Sequence, residues 1–284
     1  MNNINAKTKI CAVYGDPIGH TLSPAMHNAA FKALQMDYIY IACHVLPEQL
    51  PAAVQGIRAL GITGVNVTIP HKQAVLGELD EIFGESLRSG SVNTIINRQG
   101  KLLGTSTDGV GLVRSLQYDG NFDPRGKKVL LFGAGGSALA VIYSLIAAGI
   151  GSLTLVNRSL HKAIYLQEKV RRDSGFGLTV HTLDQLDQVD FKAFDLVINT
   201  TSVGLQEDVS IVPSVYLHPG LLVYDLVYRS GGTKLLNEAA AAGCRVLSGL
   251  SMLLFQGVES FRLWFEVEPP IEVMRQALVA ASQG

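Results

Sequence analysis

Charge is scarce in this chain. Only 17% of its 284 residues are Asp, Glu, Lys or Arg, and their balance leaves a formal net charge of -1. Such a balance creates no long-range field toward nucleic acid or an anionic membrane. No basic run alternates with aromatic residues, so a polynucleotide partner has no support. Aromatics are few as well, at 7%. The three cysteines, Cys11, Cys43 and Cys244, are far apart, odd in number and set in apolar stretches, with no CxxC pair. That excludes a disulfide framework and a thiolate zinc site, and implies free thiols in a reducing compartment. The seven histidines do not cluster at ligand spacing, so no metal is expected. No apolar run reaches the roughly 18 residues of a membrane span. The first nine residues, Met1 to Lys9, are polar and lack the apolar core of a secretory signal. A cytoplasmic location is expected.

What the chain has instead is glycine. Twenty-nine glycines and 48% hydrophobic residues suit an α/β protein with many tight turns, and the length allows two domains. The most informative stretch lies mid-chain. Lys128-Val129-Leu130-Leu131-Phe132 reads as a buried strand running into Gly133-Ala134-Gly135-Gly136-Ser137-Ala138, then an apolar helix to Ala148. A second strand, Leu153 to Val156, ends in Asn157-Arg158-Ser159. Small residues let the backbone approach a pyrophosphate, and the helix N-terminus faces its charge. An NAD site commonly carries an acid after the second strand. Here Arg158 stands 25 residues after Gly133, with Lys162 one turn on. Two cations and no carboxylate suit a 2′-phosphate, which predicts NADP. An ordinary β-to-α turn and solvated surface cations are the plainer alternatives.

Strands and helices alternate in the first third. The pattern predicts strands over Lys9–Tyr14, Tyr38–Val45 and Gly64–Ile69, helices over Ser23–Leu34, Glu48–Leu60 and Lys72–Leu79, and a hairpin of Thr94–Asn97 with Leu102–Thr105. Ser23 is expected as an N-cap, with Pro24 at the first helical position. A helix over Gly109–Leu116 leads to a polar linker, Tyr118 to Arg125, read as the first domain junction. Further strands are expected over Asp195–Ile198, Leu222–Asp225 and Arg245–Leu247. Two closing helices, Met252–Phe265 and Ile271–Ala281, have no sheet of their own and are expected to return to the first domain. This gives a two-domain α/β protein with a cleft between its domains. Residues 1–108 with 249–284 form an N-terminal α/β substrate domain, and 109–248 a C-terminal Rossmann-like NADP-binding domain.

Lys72 is the foremost candidate for chemistry. It sits at a predicted helix start, an unfavourable place for a merely structural cation, and an amine can exchange a proton with substrate. Asp108 also begins a helix. It is either a simple N-cap or a carboxylate paired with Lys72. Thr21 and Ser23 offer two hydroxyls beside a helix N-terminus, suited to a substrate carboxylate or to capping alone. Asn93 and Gln256 are amides in apolar surroundings, for which satisfaction by backbone groups is the plainer reading.

Nine motifs in order resemble the shikimate dehydrogenase family along nearly the whole chain. They are Gly15-Asp16-Pro17-Ile18-Gly19-His20 with Leu22-Ser23-Pro24; Asn66-Val67-Thr68-Ile69-Pro70-His71-Lys72; Val92-Asn93-Thr94; Thr107-Asp108-Gly109; the turn Gly133 to Gly136; Asn157-Arg158-Ser159; Asn199-Thr200-Thr201-Ser202-Val203-Gly204; Asp225-Leu226-Val227-Tyr228; and Met252-Leu253-Leu254-Phe255-Gln256. The resemblance implies NADPH-dependent, reversible reduction of 3-dehydroshikimate to shikimate, in the biosynthesis of chorismate and the aromatic amino acids. It implies Lys72 and Asp108 as the catalytic pair. Thr21 and Ser23 would hold the substrate carboxylate. Thr68, Asn93, Asp108 and Gln256 would bind ring hydroxyls, with Tyr228 lining the site. On the cofactor side it implies Gly133, Ala134, Gly135, Gly136 and Ser137 at the pyrophosphate and Asn157, Arg158, Ser159 and Lys162 at the adenosine phosphate. Thr200, Gly249 and Met252 would complete that site, the last two near the nicotinamide. The family commonly has Ser at the place of Thr21, which leaves a quinate/shikimate dehydrogenase of broader substrate or cofactor use as an alternative. An enzymatically silent NADP-binding sensor is another, and a folate dehydrogenase a third that the N-terminal motifs disfavour. A small-molecule substrate is the expected partner, with no nucleic acid or membrane, for a monomer or a homodimer.

Overall fold

Two six-stranded sheets organise the chain, one built on a strand that ends at Gly15 and the other on a strand that ends at Phe132, just before Gly133. The computed structural model describes residues 4–283. Contacts divide the chain into one unit of residues 1–111 with 253–284 and another of residues 112–252.

The first unit begins with β1 (Lys9–Gly15), α1 (Ser23–Ala33), β2 (Tyr38–His44), α2 (Leu50–Ala59) and β3 (Gly64–Val67). It continues through α3 (His71–Ala74), β4 (Glu81–Ile82), α4 (Ser86–Ser89), β5 (Thr94–Arg98), β6 (Lys101–Thr105) and the start of α5 (Asp108–Tyr118). The strand order is β2-β1-β3-β5-β6-β4, with β1 parallel to both neighbours and β5 antiparallel to β3 and β6. The chain leaves β1 toward β2 and later returns to its other side as β3. That reversal opens a crevice at the strand ends, the usual ligand position in an α/β sheet. A Cβ on Gly15 would lie 2.5 Å from Thr68 Cγ2, so glycine lets the two strand ends approach. The hairpin turns on Gln99 and Gly100, at φ 56° and 93°, the primed geometry that matches strand twist.

The second unit holds β7 (Lys128–Phe132), α6 (Gly136–Ala147), β8 (Ser152–Val156), α7 (Leu160–Ser174), β9 (Leu178–His181), β10 (Leu196–Asn199), β11 (Leu222–Asp225), α8 (Lys234–Ala241) and β12 (Arg245–Ser248). All its pairings are parallel, in the order β12-β11-β10-β7-β8-β9. This is the doubly wound Rossmann order, with its switch point between β7 and β10. Its central strands are buried on both faces. Val129 and Leu131 join a core with Val141, Leu145 and Tyr224, whereas Leu130 and Phe132 join one with Val197, Val223 and Leu235. Burial on both sides produces the unbroken apolar runs that mark these strands in the sequence.

The chain then enters α9 (Gly249–Phe265) and ends in α10 (Ile271–Ser282), which lies on α1. Trp264 of α9 donates from Nε1 to the carbonyl of Ile95 at 3.0 Å. Gly64 makes room for that ring, since a Cβ there would stand 2.2 Å from Nε1.

Several local expectations differ from what is found. The polar stretch Tyr118–Arg125 is not where contacts divide the chain. The divisions fall inside helices, at 111/112 in α5 and 252/253 in α9, rather than at 108/109 and 248/249. Ser115 Oγ and Tyr224 Oη, 2.6 Å apart, tie the later turns of α5 to the second unit, and Met252 is buried in that unit's core. The N-cap of α1 is Leu22 without a side-chain cap, and Ser23 is already helical. The strand at Asn66 stops at Val67, and the chain turns where the His71 amide donates back to the carbonyl of Thr68 at 2.8 Å. The helix expected over Lys72–Leu79 is one α turn followed by a 3-10 turn, Val75–Glu78. The elements β4, α4 and β9 are too short to show periodicity, and α8, with its buried face of Leu235, Leu236 and Ala239, was also not foreseen.

Candidate functional site

In the first unit, β3 and β5 aim their ends at the first turn of α5. Lys72 Nζ donates to Asp108 Oδ2 at 2.5 Å. The lysine side chain is 22% exposed and the aspartate 9%, so the pair sits at the edge of solvent. Asp108 is the first helical residue of α5, and its carboxylate reaches other elements. The other oxygen, Oδ1, accepts from Asn93 Nδ2 at 2.8 Å. The helix dipole is a minor influence on Lys72, because α3 is a single turn. The Asp108 carboxylate is what holds the ammonium.

Asn93 can point only one way. Its Oδ1 accepts from the backbone amide of Thr107 at 2.8 Å, and a backbone N–H can only donate. Its Nδ2 therefore faces Asp108, with Gln256 Oε1 at 3.3 Å and Thr107 Oγ1 at 3.1 Å. Behind it lies a buried polar cluster. Asn66 Nδ2 reaches the Asn93 carbonyl at 3.1 Å and Ser260 Oγ at 3.0 Å, while Asn66 Oδ1 accepts from Tyr40 Oη at 2.8 Å. Thr94 Oγ1 donates to Asn93 Oδ1 at 2.8 Å, and Ser260 donates to the carbonyl of Gln256 at 3.0 Å. A fully partnered network of this kind fixes one arrangement, since each alternative leaves a buried donor unmet.

Asn66, Thr94, Thr107 and Ser260 were not foreseen as supports. Their signal in the sequence was faint: a lone amide in the strand Gly64–Val67, and a serine one helical turn beyond Gln256 in an apolar helix. His71 is buried and its Nε2 lies 2.7 Å from the carbonyl of Val45, which anchors the turn that carries Lys72. Thr21 Oγ1 accepts from the Ser23 amide at 3.4 Å. Ser23 is buried and Thr68 half-buried. Among the described residues, the Thr68 hydroxyl has no side-chain partner, and Gln256 Nε2 donates to the carbonyl of Leu253 at 2.8 Å.

In the second unit the glycine turn after β7 meets Thr200 at the switch point. Gly133 has φ +109°, and a Cβ there would stand 2.6 Å from Thr200 Oγ1. Thr200 Oγ1 donates to the carbonyl of Phe132 at 2.7 Å, stitching β10 to β7. Gly135 and Gly136 are exposed, with nothing within 4 Å of a built Cβ. Gly135 caps the twelve-residue α6 without a side chain; the Ala138 amide turns back to the Gly135 carbonyl at 3.2 Å, and no side chain caps the amides of Gly136 and Ser137. Ala134 and Ser137 complete the turn, half-buried. These features fit a pyrophosphate.

Asn157 is occupied within the turn. Its Oδ1 accepts from the Ala134 amide at 3.2 Å and its Nδ2 donates to the Ser159 carbonyl at 2.8 Å. Ser159 Oγ contacts His161 Nδ1 at 2.9 Å. Arg158 and Lys162 are exposed, and neither forms an ion pair among the described residues. Their charges are therefore available to a phosphate.

Tyr228 follows β11, half-buried, and burial pushes its phenol above the usual range. The loop that carries it is held by Asp225, a fully buried carboxylate. Asp225 accepts from Thr233 Oγ1 at 2.7 Å, Asn199 Nδ2 at 2.9 Å and the Val227 amide at 3.1 Å. Burial raises its pKa, and the three donors oppose that rise. Gly249 is buried against the carbonyl of Leu226, where a Cβ would clash, and Met252 lies in the core.

Among the described residues, no group of three or more His, Cys, Asp or Glu side chains could hold a metal. No helix among them is long and apolar enough to cross a membrane.

Comparison with known families places this geometry. Residues 13–95 match the shikimate dehydrogenase substrate binding domain, 118–207 the shikimate/quinate 5-dehydrogenase family, and 249–279 the shikimate 5'-dehydrogenase C-terminal domain. The chain belongs to the shikimate dehydrogenase family. Shikimate dehydrogenase (NADP(+)) of Methanothermobacter thermautotrophicus is 44% identical over 97% of this chain and 97% of its own. A solved shikimate dehydrogenase in complex with NADP+ superposes with a TM-score of 0.93 at 38% identity, covering 99% of this chain and 98% of its own. The Thermus thermophilus shikimate 5-dehydrogenase, in complex with NADP(H) and shikimate, gives 0.86 at 36% identity, covering 96% and 99%. The shikimate dehydrogenase family's activity is that of an NADP-dependent oxidoreductase acting on a CH–OH group.

Proposed function

We propose that this chain catalyses the reversible NADPH-dependent reduction of 3-dehydroshikimate to shikimate, with Lys72 and Asp108 as its proton-transfer pair. The observation that carries the assignment is the 2.5 Å contact between Lys72 Nζ and an aspartate whose second oxygen is held by Asn93. Bound NADP(H) supplies or accepts the hydride. Reduction of a ketone leaves an alkoxide, which must receive a proton. The Lys72 ammonium donates it, while Asp108 fixes the nitrogen in place. In the oxidative direction, neutral Lys72 takes the hydroxyl proton. Thr68, Asn93, Asp108 and Gln256 bind ring hydroxyls, Thr21 and Ser23 bind the carboxylate, and Tyr228 lines the site.

On the cofactor side, the amides of Gly135, Gly136 and Ser137 hold the pyrophosphate, and Gly133 and Ala134 form the turn that lets it approach. Arg158 and Lys162 take the 2′-phosphate. Asn157 and Ser159 shape the loop that presents these cations, and Thr200, Gly249 and Met252 bound the remaining wall. The enzyme is read as cytoplasmic, serving aromatic amino acid biosynthesis as a monomer or homodimer.

Initial rates on purified protein, with shikimate and quinate each paired with NADP and NAD, test this reading. Turnover chiefly with shikimate and NADP is the expected result. Comparable rates with quinate or NAD would move the chain to the broader dehydrogenase class. Binding of both ligands without turnover would make it a sensor.

A further inference from the structure

The first turn of α5 carries Asp108 and, three residues on and on the same side of the helix, Gly111. Glycine inside a helix costs about 1 kcal/mol relative to alanine, and Gly111 has no left-handed φ to account for it. Its surroundings do. A Cβ on Gly111 would lie 2.7 Å from the backbone nitrogen of Gln256, 2.9 Å from its Cβ and 3.0 Å from its Cα. None of these atoms can be moved by a rotamer change. The turn of α9 met here is the one whose Gln256 Oε1 shares the Asn93 amide with Asp108. Helix separation at this point therefore decides whether one amide can reach both groups.

We propose that Gly111 is a positioning residue for the reaction: its missing side chain sets the spacing of α5 from α9, and so the place of the Asp108 carboxylate beside Lys72 and Asn93. The proposal rests on reading Lys72 and Asp108 as the proton-transfer pair. Gly111→Ala requires the helices to part by about 0.7 Å, the shortfall between 2.7 Å and the start of ordinary contact at 3.4 Å. Displacements near 1 Å at a reacting centre cost about 100-fold in rate.

The test compares wild type with Gly111→Ala, using shikimate and NADP, with rates corrected for folded protein by urea denaturation. The expected result is a fall in kcat of about 10- to 100-fold, a displaced pH profile of kcat, and a Kd for NADP within about twofold of wild type, measured by fluorescence titration. A lowered urea midpoint with kcat and its pH profile unchanged would make Gly111 merely structural and overturn the proposal. Should Gly111→Ala fail to fold, Asp108→Glu decides. It shifts the carboxylate by one methylene and leaves the helix contact intact. Turnover within about threefold of wild type would show that the carboxylate needs no such placement and overturn the proposal, whereas a loss of about tenfold or more supports it. A wild type silent with shikimate and NADP sinks the reading of the site, and the proposal with it.

Discussion

Replacing Lys72 with alanine removes the ammonium bonded to Asp108 and leaves the rest of the cluster in place. Two costs follow, and they separate in different assays. The first is stability. A sealed ion pair that loses one partner costs about 3–5 kcal/mol. Here the lysine is 22% exposed and the aspartate keeps its hydrogen bond from Asn93, so water and the amide meet much of the stranded charge. The expected loss is about 1–2 kcal/mol, between the sealed and the surface cases. The second cost is turnover. A general acid–base group contributes about 10²- to 10⁴-fold, or about 2.7–5.5 kcal/mol of barrier. The shikimate Kd should change far less, because Thr21, Ser23, Thr68 and Gln256 remain. Asp108→Asn should also lower turnover, and the double variant should fall no further than the worse single one, since the two act as one unit. A small primary amine such as methylamine should restore part of the rate of Lys72→Ala by entering the vacated space. Initial-rate kinetics, shikimate titration and urea denaturation measure the three quantities. Near-normal kcat in Lys72→Ala, or losses that multiply in the double variant, would refute the pairing.

Arg158→Ala should raise the KM for NADP about tenfold, the low end for a charge-assisted contact at an exposed side chain, and leave that for NAD nearly unchanged. Equal loss with both cofactors would show that Arg158 does not read the phosphate. Asp225→Ala removes the acceptor of the Thr233 hydroxyl, of the Val227 amide and of one Asn199 amide hydrogen, while Asn199 keeps its bond to the Val203 carbonyl. At about 1–3 kcal/mol for each unmet donor, less the relief of a buried charge, urea denaturation should show a loss of about 3 kcal/mol; an unchanged midpoint would contradict the account of this loop. Asp173 is held down from 3.8 to about 2, first by the Tyr143 hydroxyl and then by Lys169. A depressed carboxylate stabilises the fold above its unfolded pKa, and that contribution is lost as pH falls from about 3.8 toward about 2. The melting temperature of wild type should therefore fall more steeply than that of Asp173→Asn across this window; parallel curves would remove Asp173 from the acid response.

Local signals carried far in this chain. The glycine turn after β7, the cations after β8 and the paired runs of the hairpin each follow from backbone geometry within a few neighbours, so they can be read without a fold. Strands buried on both faces announce themselves as apolar runs, which made β7, β8, β10 and β11 legible. Short edges such as β9 and β4 are too brief to leave a pattern. The order of motifs along the chain pointed to the family and to Lys72, Asp108, Asn93 and Gln256 as candidates. It did not reveal how they are held. Asn66, Thr94 and Ser260 come from β3, β5 and α9, as many as 194 residues apart, and became one hydrogen-bonded cluster only when the sheet and helix met. The same holds for Asn157, whose amide reads as a ligand group in the sequence but is spent on the turn around it. Composition and periodicity determined the class of most elements, because propensity and burial act locally. Tertiary structure alone decided which polar groups face one another, because hydrogen bonds depend on distance and direction in space rather than on position along the chain.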